Sequence, residues 1–316
     1  MNAALLSYLS GQQFAVTLEM MQALQALFLA GEKSGPLLAA AKKPEAPAKN
    51  GGMVGVIQIR GFIDMRPSPW DEFFGGTNVE FITAALRSFL ADPAIKSIML
   101  DIDSPGGSVF GIEQLAAEVF DAREQKPVVA YLNPMAASAA YWIASGAKEI
   151  VMCPGGLAGS IGVYSVHEDI SKMLEDAGIK VTIISAGKFK AEGDPSKPLT
   201  PEAQQAIQDR VDGYYDSFVR AVARGRGVKP AAVRSGYGQG RVLMGQAAID
   251  AGLVDRIATA DETIARLLGK TGSGVTEAAA AAEAKPAEAV LPPVATEPAV
   301  DESEARRRRA RLLELA

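Results

Sequence analysis

The sequence predicts an α/β protein, a mostly parallel sheet covered by helices, and three observations carry that expectation. Near-continuous apolar runs such as VGVIQIRG, SIMLDID and PVVAYL read as strands buried on both faces. They alternate with helical patterns such as VEFITAALRSFLAD and GIEQLAAEVFDARE, the rhythm by which parallel strands are connected. The hydrophobic fraction, 48% of 316 residues, is enough to fill a core beneath such helices.

The first segment, residues 1–35, is apolar, yet Gln12, Gln13, Glu19 and Gln22 interrupt it and no positive charge precedes it. A signal peptide needs a basic start, and a spanning helix needs about 20 nearly uninterrupted apolar residues. Met20, Met21, Leu24, Leu27 and Phe28 fall at helical spacing. The segment is therefore expected to be an amphipathic helical extension used for docking or oligomerisation, with membrane-surface association the lesser option. No other stretch is apolar enough to span a bilayer, so no transmembrane segment is expected. Residues 36–52, rich in Pro, Ala, Lys and Gly, read as a linker.

The main domain is expected over 53–269. VGVIQIRG opens it as a strand, followed by the helix VEFITAALRSFLAD, the strand SIMLDID, the helix GIEQLAAEVFDARE and the strand PVVAYL. AASAAYWIASG reads as a short helix, EIVMCP and SIGVYSV as strands, ISKMLEDAG as a helix and VTIIS as a strand. A long amphipathic helix follows from about Pro201 to Arg224. Residues 270–303, mostly Ala, Glu, Pro, Val and Thr, read as a low-complexity linker. The basic segment 304–316 carries Arg306 to Arg309 and Arg311 beside Leu312, Leu313 and Leu315. It reads either as a solvated helix end or as a peptide that docks on an acidic partner.

Composition narrows the partners. A net charge of −5 argues against nucleic acid. Cys153, the sole cysteine, cannot form an intramolecular disulfide, which fits a reducing cytoplasm. One His and one Cys leave no convincing metal-ligand cluster, and no phosphate loop is present, so neither metal nor nucleotide cofactor is implied.

Three stretches can carry chemistry. In DIDSPGGSV (101–109), Ser104 and Pro105 are expected to turn the chain at the end of a buried strand. Gly106 and Gly107 there permit torsions that point amides outward. Open α/β sheets place ligands at such strand ends, although an ordinary tight turn reads the same way. In NPMAASAAYWIASG (133–146), Ser138 lies among small residues at a helix start, where free amides stabilise an oxyanion; a lone serine there is more often a packing residue. SAGKFKAEGDPSKPLT (185–200) brings Lys188, Lys190 and Lys197, and most loop lysines are solvated. His167, the sole histidine, reads as a helix-capping or surface residue, which leaves a histidine triad without a base. A lysine, ordinarily near pKa 10.4, serves instead where burial lowers it toward neutrality.

Together, SPGG (104–107), AASAAYW (136–142), AGSIGV (158–163) and GKFKAEGDP (187–195) resemble, in order, the signal-peptide-peptidase-A family of Ser–Lys peptidases. The resemblance covers roughly residues 53 to 269 and implies a ClpP/crotonase-like fold. It implies Ser138 as nucleophile, Lys190 as base, Ser160 orienting the lysine, and oxyanion amides from Gly106, Gly107 and Ala139. Ala139 and Ala140 stand where the family has glycines, which keeps the amide donor and changes the pocket's shape. The membrane anchor that some members carry is not expected here. RGFIDMRPSPW, AVARGRGV and GQGRVLMG are similar to the capsid-maturation proteases of tailed bacteriophages. That branch implies a homo-oligomer in the host cytoplasm, packed in the assembling prohead. It would cleave scaffold, itself or portal protein, with major capsid protein a further partner. The alternatives are a bacterial peptidase clearing signal peptides and a non-proteolytic crotonase-like protein.

Overall fold

In the computed structural model the described residues are 13–22, 48–50, 53–67 and 75–269. They form an 11-stranded sheet whose centre is parallel. Strand β3 (Val54–Asp64) pairs with β5 (Ser97–Ser108), β5 with β6 (Val128–Ala137), and β6 with β7 (Glu149–Met152). Parallel pairing continues to β4 (Gly76–Asn78) beside β3 and to β11 (Arg256–Ile257) beside β7. Strand β8 (Leu157–Gly159) runs parallel to the last residues of β6. Antiparallel pairs add β2 (Ala48–Asn50) to β3 and β10 (Val242–Met244) to β8. Strand β1 (Gln13–Val16) lies antiparallel between β5 and β9 (Tyr164–Ser165).

The apolar runs are continuous because both faces of the sheet are covered. Ile98, Leu100 and Ile102 of β5, with Val128, Ala130 and Leu132 of β6, point into the larger core. Their neighbours Met99, Val129 and Tyr131 point the other way, against Ile264, Leu267 and Leu268 near the closing helix Ala260–Leu267. Period-two alternation thus divides one apolar strand between two layers.

Helix α1 (Val79–Ala91) starts where the Asn78 side chain accepts the Phe81 N–H at 2.8 Å, and it buries Ile82, Leu86 and Phe89. Helix α2 (Ile112–Ala122) and the short α3 (Ala139–Ala144) complete that layer, α3 being buried at every residue. After the brief α4 (Ser171–Asp176), helix α5 (Pro201–Arg226) begins at a Thr200 cap with Pro201 in its first turn. Phe218 of α5 stacks on Trp142 of α3, centroids 4.6 Å apart and planes 4° from parallel. This long helix therefore backs the short one.

Several expectations are corrected. Among the described residues of the extension expected over 1–35, 13–16 are a strand and 18–22 a helix; the rest lies outside the described residues. Two ladders, on β5 and β9, outweigh the local helical pattern. Within the linker expected over 36–52, Ala48–Asn50 pairs with Val54–Val56. VTIIS forms no strand: Val181, Ile183 and Ile184 are exposed, Ile184 by 95%, and sheet propensity needs a neighbouring strand. SIGVYSV shortens to the two residues of β9. The SPGG turn is instead extended, because β5 runs on to Ser108. Residues 270–303 and 304–316 lie outside the described residues.

Candidate active site

Ser138 stands where β6 becomes α3, with φ 56° and ψ −121°. A non-glycine residue in that region costs about 1–3 kcal/mol and persists only where its surroundings hold it. Here the Ser138 N–H donates to Gly159 O at 2.8 Å, and its own carbonyl accepts the Trp142 N–H at 2.9 Å. The side chain is buried, and Ser138 Oγ has no hydrogen-bond partner among the described residues. A strained, buried hydroxyl left without a partner at a strand-to-helix turn is a candidate nucleophile.

Gly106 and Gly107 are brought beside it. A β-carbon on Gly106 would lie 3.0 Å from both Ser138 Cβ and Ala137 O, so only glycine fits at this approach, and its φ is +101°. The two amides have different fates. Gly106 N–H donates to Ser104 Oγ at 3.1 Å, while that hydroxyl donates to Gly61 O at 2.6 Å. The Gly106 amide, expected as an oxyanion donor, is thus engaged by Ser104 Oγ, whereas Gly107 lies opposite Ala15 of β1. Ala139, as the first residue of α3, has no intrahelical acceptor for its N–H.

Ser160 follows Gly159 directly and also has positive φ, 56°. Its N–H donates to Arg241 O at 2.8 Å. It lines a cavity of about 650 Å³ with Thr17, Leu18, Met135, Leu157 and Val242, next to the Ser138 turn. Lys190 is not assembled with these groups. It sits in an exposed turn closed by its own N–H on Gly187 O at 3.1 Å. Its neighbour Lys188 pairs with Glu202 at 3.2 Å and lies over the Phe189 ring. His167 is neither a cap nor fully exposed: it is half-buried, its buried Nε2 has no hydrogen-bond partner among the described residues, and the N-cap of α4 is Ile170.

Sequence reasoning missed a strand that lies beside this site. Strand β1 covers Gly106–Ser108, with Phe14 and Ala15 fully buried. The run Phe-Ala-Val-Thr, aromatic and β-branched, is the signal that could have shown it. Tyr164 donates its hydroxyl to Thr17 O at 3.3 Å, and burial pushes that phenol well up, which keeps it a donor. Behind the site, Arg60 pairs with Asp101, while burial raises Asp103 against the opposing pull of Arg60. Among the described residues no group of three or more His, Cys, Asp or Glu is arranged to hold a metal ion.

A buried, strained hydroxyl at a strand-to-helix elbow of an α/β sheet is the kind of arrangement that acyl transfer requires. Residues 121–272 match the profile of Peptidase family S49. It is 32% identical to the head-tail preconnector protein GP5 of Enterobacteria phage P21, over 75% of this chain and 47% of that protein. It is 31% identical to capsid assembly protease C of Escherichia phage lambda, over 77% of this chain and 54% of that protein. Protease 4 of Salmonella typhi is 34% identical over 70% of this chain and 35% of its own length. The chain thus spans about half the length of the two phage relatives.

Proposed function

We propose that the chain is a serine endopeptidase acting in phage or prophage capsid assembly, with Ser138 as nucleophile and Lys190 as general base. The observation that carries the chemistry is the hydroxyl of Ser138, which has no hydrogen-bond partner among the described residues and is held in a strained turn beside Gly106. Ser138 Oγ attacks a peptide carbonyl and Lys190 takes its proton. The amides of Gly107 and Ala139 hold the oxyanion, and water resolves the acyl-enzyme. Ser160 orients the lysine. Lys190 is exposed here, so reaction requires its loop to close on Ser138.

The capsid role is supported by the names of the two phage relatives, and the substrates proposed with it are scaffold, portal or the chain itself. The similarity to Protease 4 favours a second reading, a bacterial peptidase clearing signal peptides. No helix among the described residues is long and apolar enough to cross a membrane. Co-expression with scaffold and portal proteins separates the two: the first reading expects their cleavage, the second leaves them intact. For the chemistry, Lys190→Ala is expected to lower peptide hydrolysis by about 10²–10⁴-fold with the fold retained. Unchanged hydrolysis would remove Lys190 from the mechanism.

A further inference from the structure

Strand β6 leaves the sheet at Ala137, and the edge of β5 that it vacates is taken by β1. Strand β3 flanks the other edge, with Phe62 opposite Gly106 and Ile63 opposite Gly107, so β1 and β6 share one edge. The register places Ala15 opposite Gly107. On one side of that pair the Val109 N–H donates to Gln13 O at 3.3 Å; on the other the Thr17 N–H donates to Pro105 O at 3.0 Å. Antiparallel alternation makes Ala15–Gly107 the hydrogen-bonded pair between them. The Gly107 amide therefore faces the Ala15 carbonyl.

That carbonyl also lies beside the serine. The point where a Gly106 β-carbon would sit is 2.2 Å from Ala15 O and 3.0 Å from Ser138 Cβ. The other edge of β1 is held by β9, with Phe14 opposite Tyr164 and the Tyr164 hydroxyl on Thr17 O. The strand passes through the site rather than ending in it, since the chain continues to a buried Met21. It thus presents an internal carbonyl, not a terminus.

An extended segment held by backbone bonds on both edges is bound as a peptide ligand is bound. The geometry points to residues 13–17 as a built-in occupant of the peptide site, lying where a substrate would lie and closing the site to other peptides until displaced. This inference rests on Ser138 being the nucleophile. A tethered occupant competes at an effective concentration on the order of millimolar, so a free peptide at micromolar concentration is largely excluded. The occupant also indicates what fits: a small residue in the place of Ala15, which is fully buried.

The test uses the full chain and a fluorogenic peptide carrying the sequence QFAVT. Thr17→Pro removes the N–H bonded to Pro105, and Ala15→Pro removes the donor opposite Gly107; neither proline suits a paired strand. Each variant, checked for an unchanged thermal transition, is expected to hydrolyse the peptide about tenfold faster than the wild type, or more, since weakening the occupant by about 1.4 kcal/mol frees ten times more site. Equal, measurable rates in the wild type and both variants would overturn the occupancy while leaving Ser138 in place. No hydrolysis in any of the three, all folded, would instead remove Ser138 as nucleophile and the occupancy with it.

Discussion

The hydroxyl of Ser104 accepts the N–H of Gly106 at 3.1 Å while donating to Gly61 O at 2.6 Å, so one buried side chain ties β5 to β3 beside the nucleophile. Ser104→Ala leaves the Gly106 amide and Gly61 carbonyl without this partner, and a buried orphan of that kind costs about 1–3 kcal/mol. A lower urea midpoint with unchanged slope is expected. A midpoint equal to wild type would show that the tie contributes nothing.

Gly107 is the more demanding of the two glycines. A β-carbon there would lie 1.9 Å from Ile63 O, a backbone atom of the adjacent strand that cannot swing aside. Gly107→Ala must separate β3 from β5, and a loss of about 3 kcal/mol is expected in chemical denaturation. Because the same amide is the proposed oxyanion donor, hydrolysis should fall by about 10²–10³-fold in whatever fraction folds.

The stack of Phe218 on Trp142 joins α5 to the helix that carries Ser138 at its start. Phe218 is fully buried, and Phe218→Ala is expected to cost about 3–5 kcal/mol. The near-UV circular dichroism of Trp142 should weaken in parallel. An unchanged tryptophan signal would mean that α3 does not depend on α5.

Two carboxylates set opposite pH dependences. Burial pushes Asp255 up, but the hydrogen bonds from Arg226 and from the Ile150 N–H outweigh it and hold the carboxyl below its usual range. Its contribution is present above the unfolded pKa of about 3.9 and is lost as pH falls through the lower folded value. Asp255→Asn should therefore flatten the acid limb of the stability curve. Burial raises Asp103, against the opposing pull of Arg60, so its ionisation disfavours the fold as pH rises. Asp103→Asn should gain stability at neutral pH relative to pH 3. Urea midpoints across pH 3–7 check both signs.

The central strands and long helices were legible because their signals are local. SIMLDID and PVVAYL are apolar on both faces, and Asn78 and Thr200 mark helix starts by their caps. The features that were not legible depend on distant partners. QFAV looks like part of a Leu- and Met-rich helix until β5 and β9 supply ladders to it. VTIIS has the composition of a strand and no strand beside it. SPGG reads as a turn because its extended form is fixed by Ile63 on one side and Ala15 on the other. Ser138, Gly107 and Ser160 were singled out by motif order and lie at or just past the ends of β6, β5 and β8. Lys190 shares their motif order but stays apart from them here.

The most direct measurement is mass mapping of the full chain after reaction with a fluorophosphonate, which forms a stable adduct only with an activated serine. The mechanism predicts one adduct, on Ser138, absent from Ser138→Ala and formed faster in Thr17→Pro. An adduct on a different serine, or peptide hydrolysis that survives in Ser138→Ala, would contradict it.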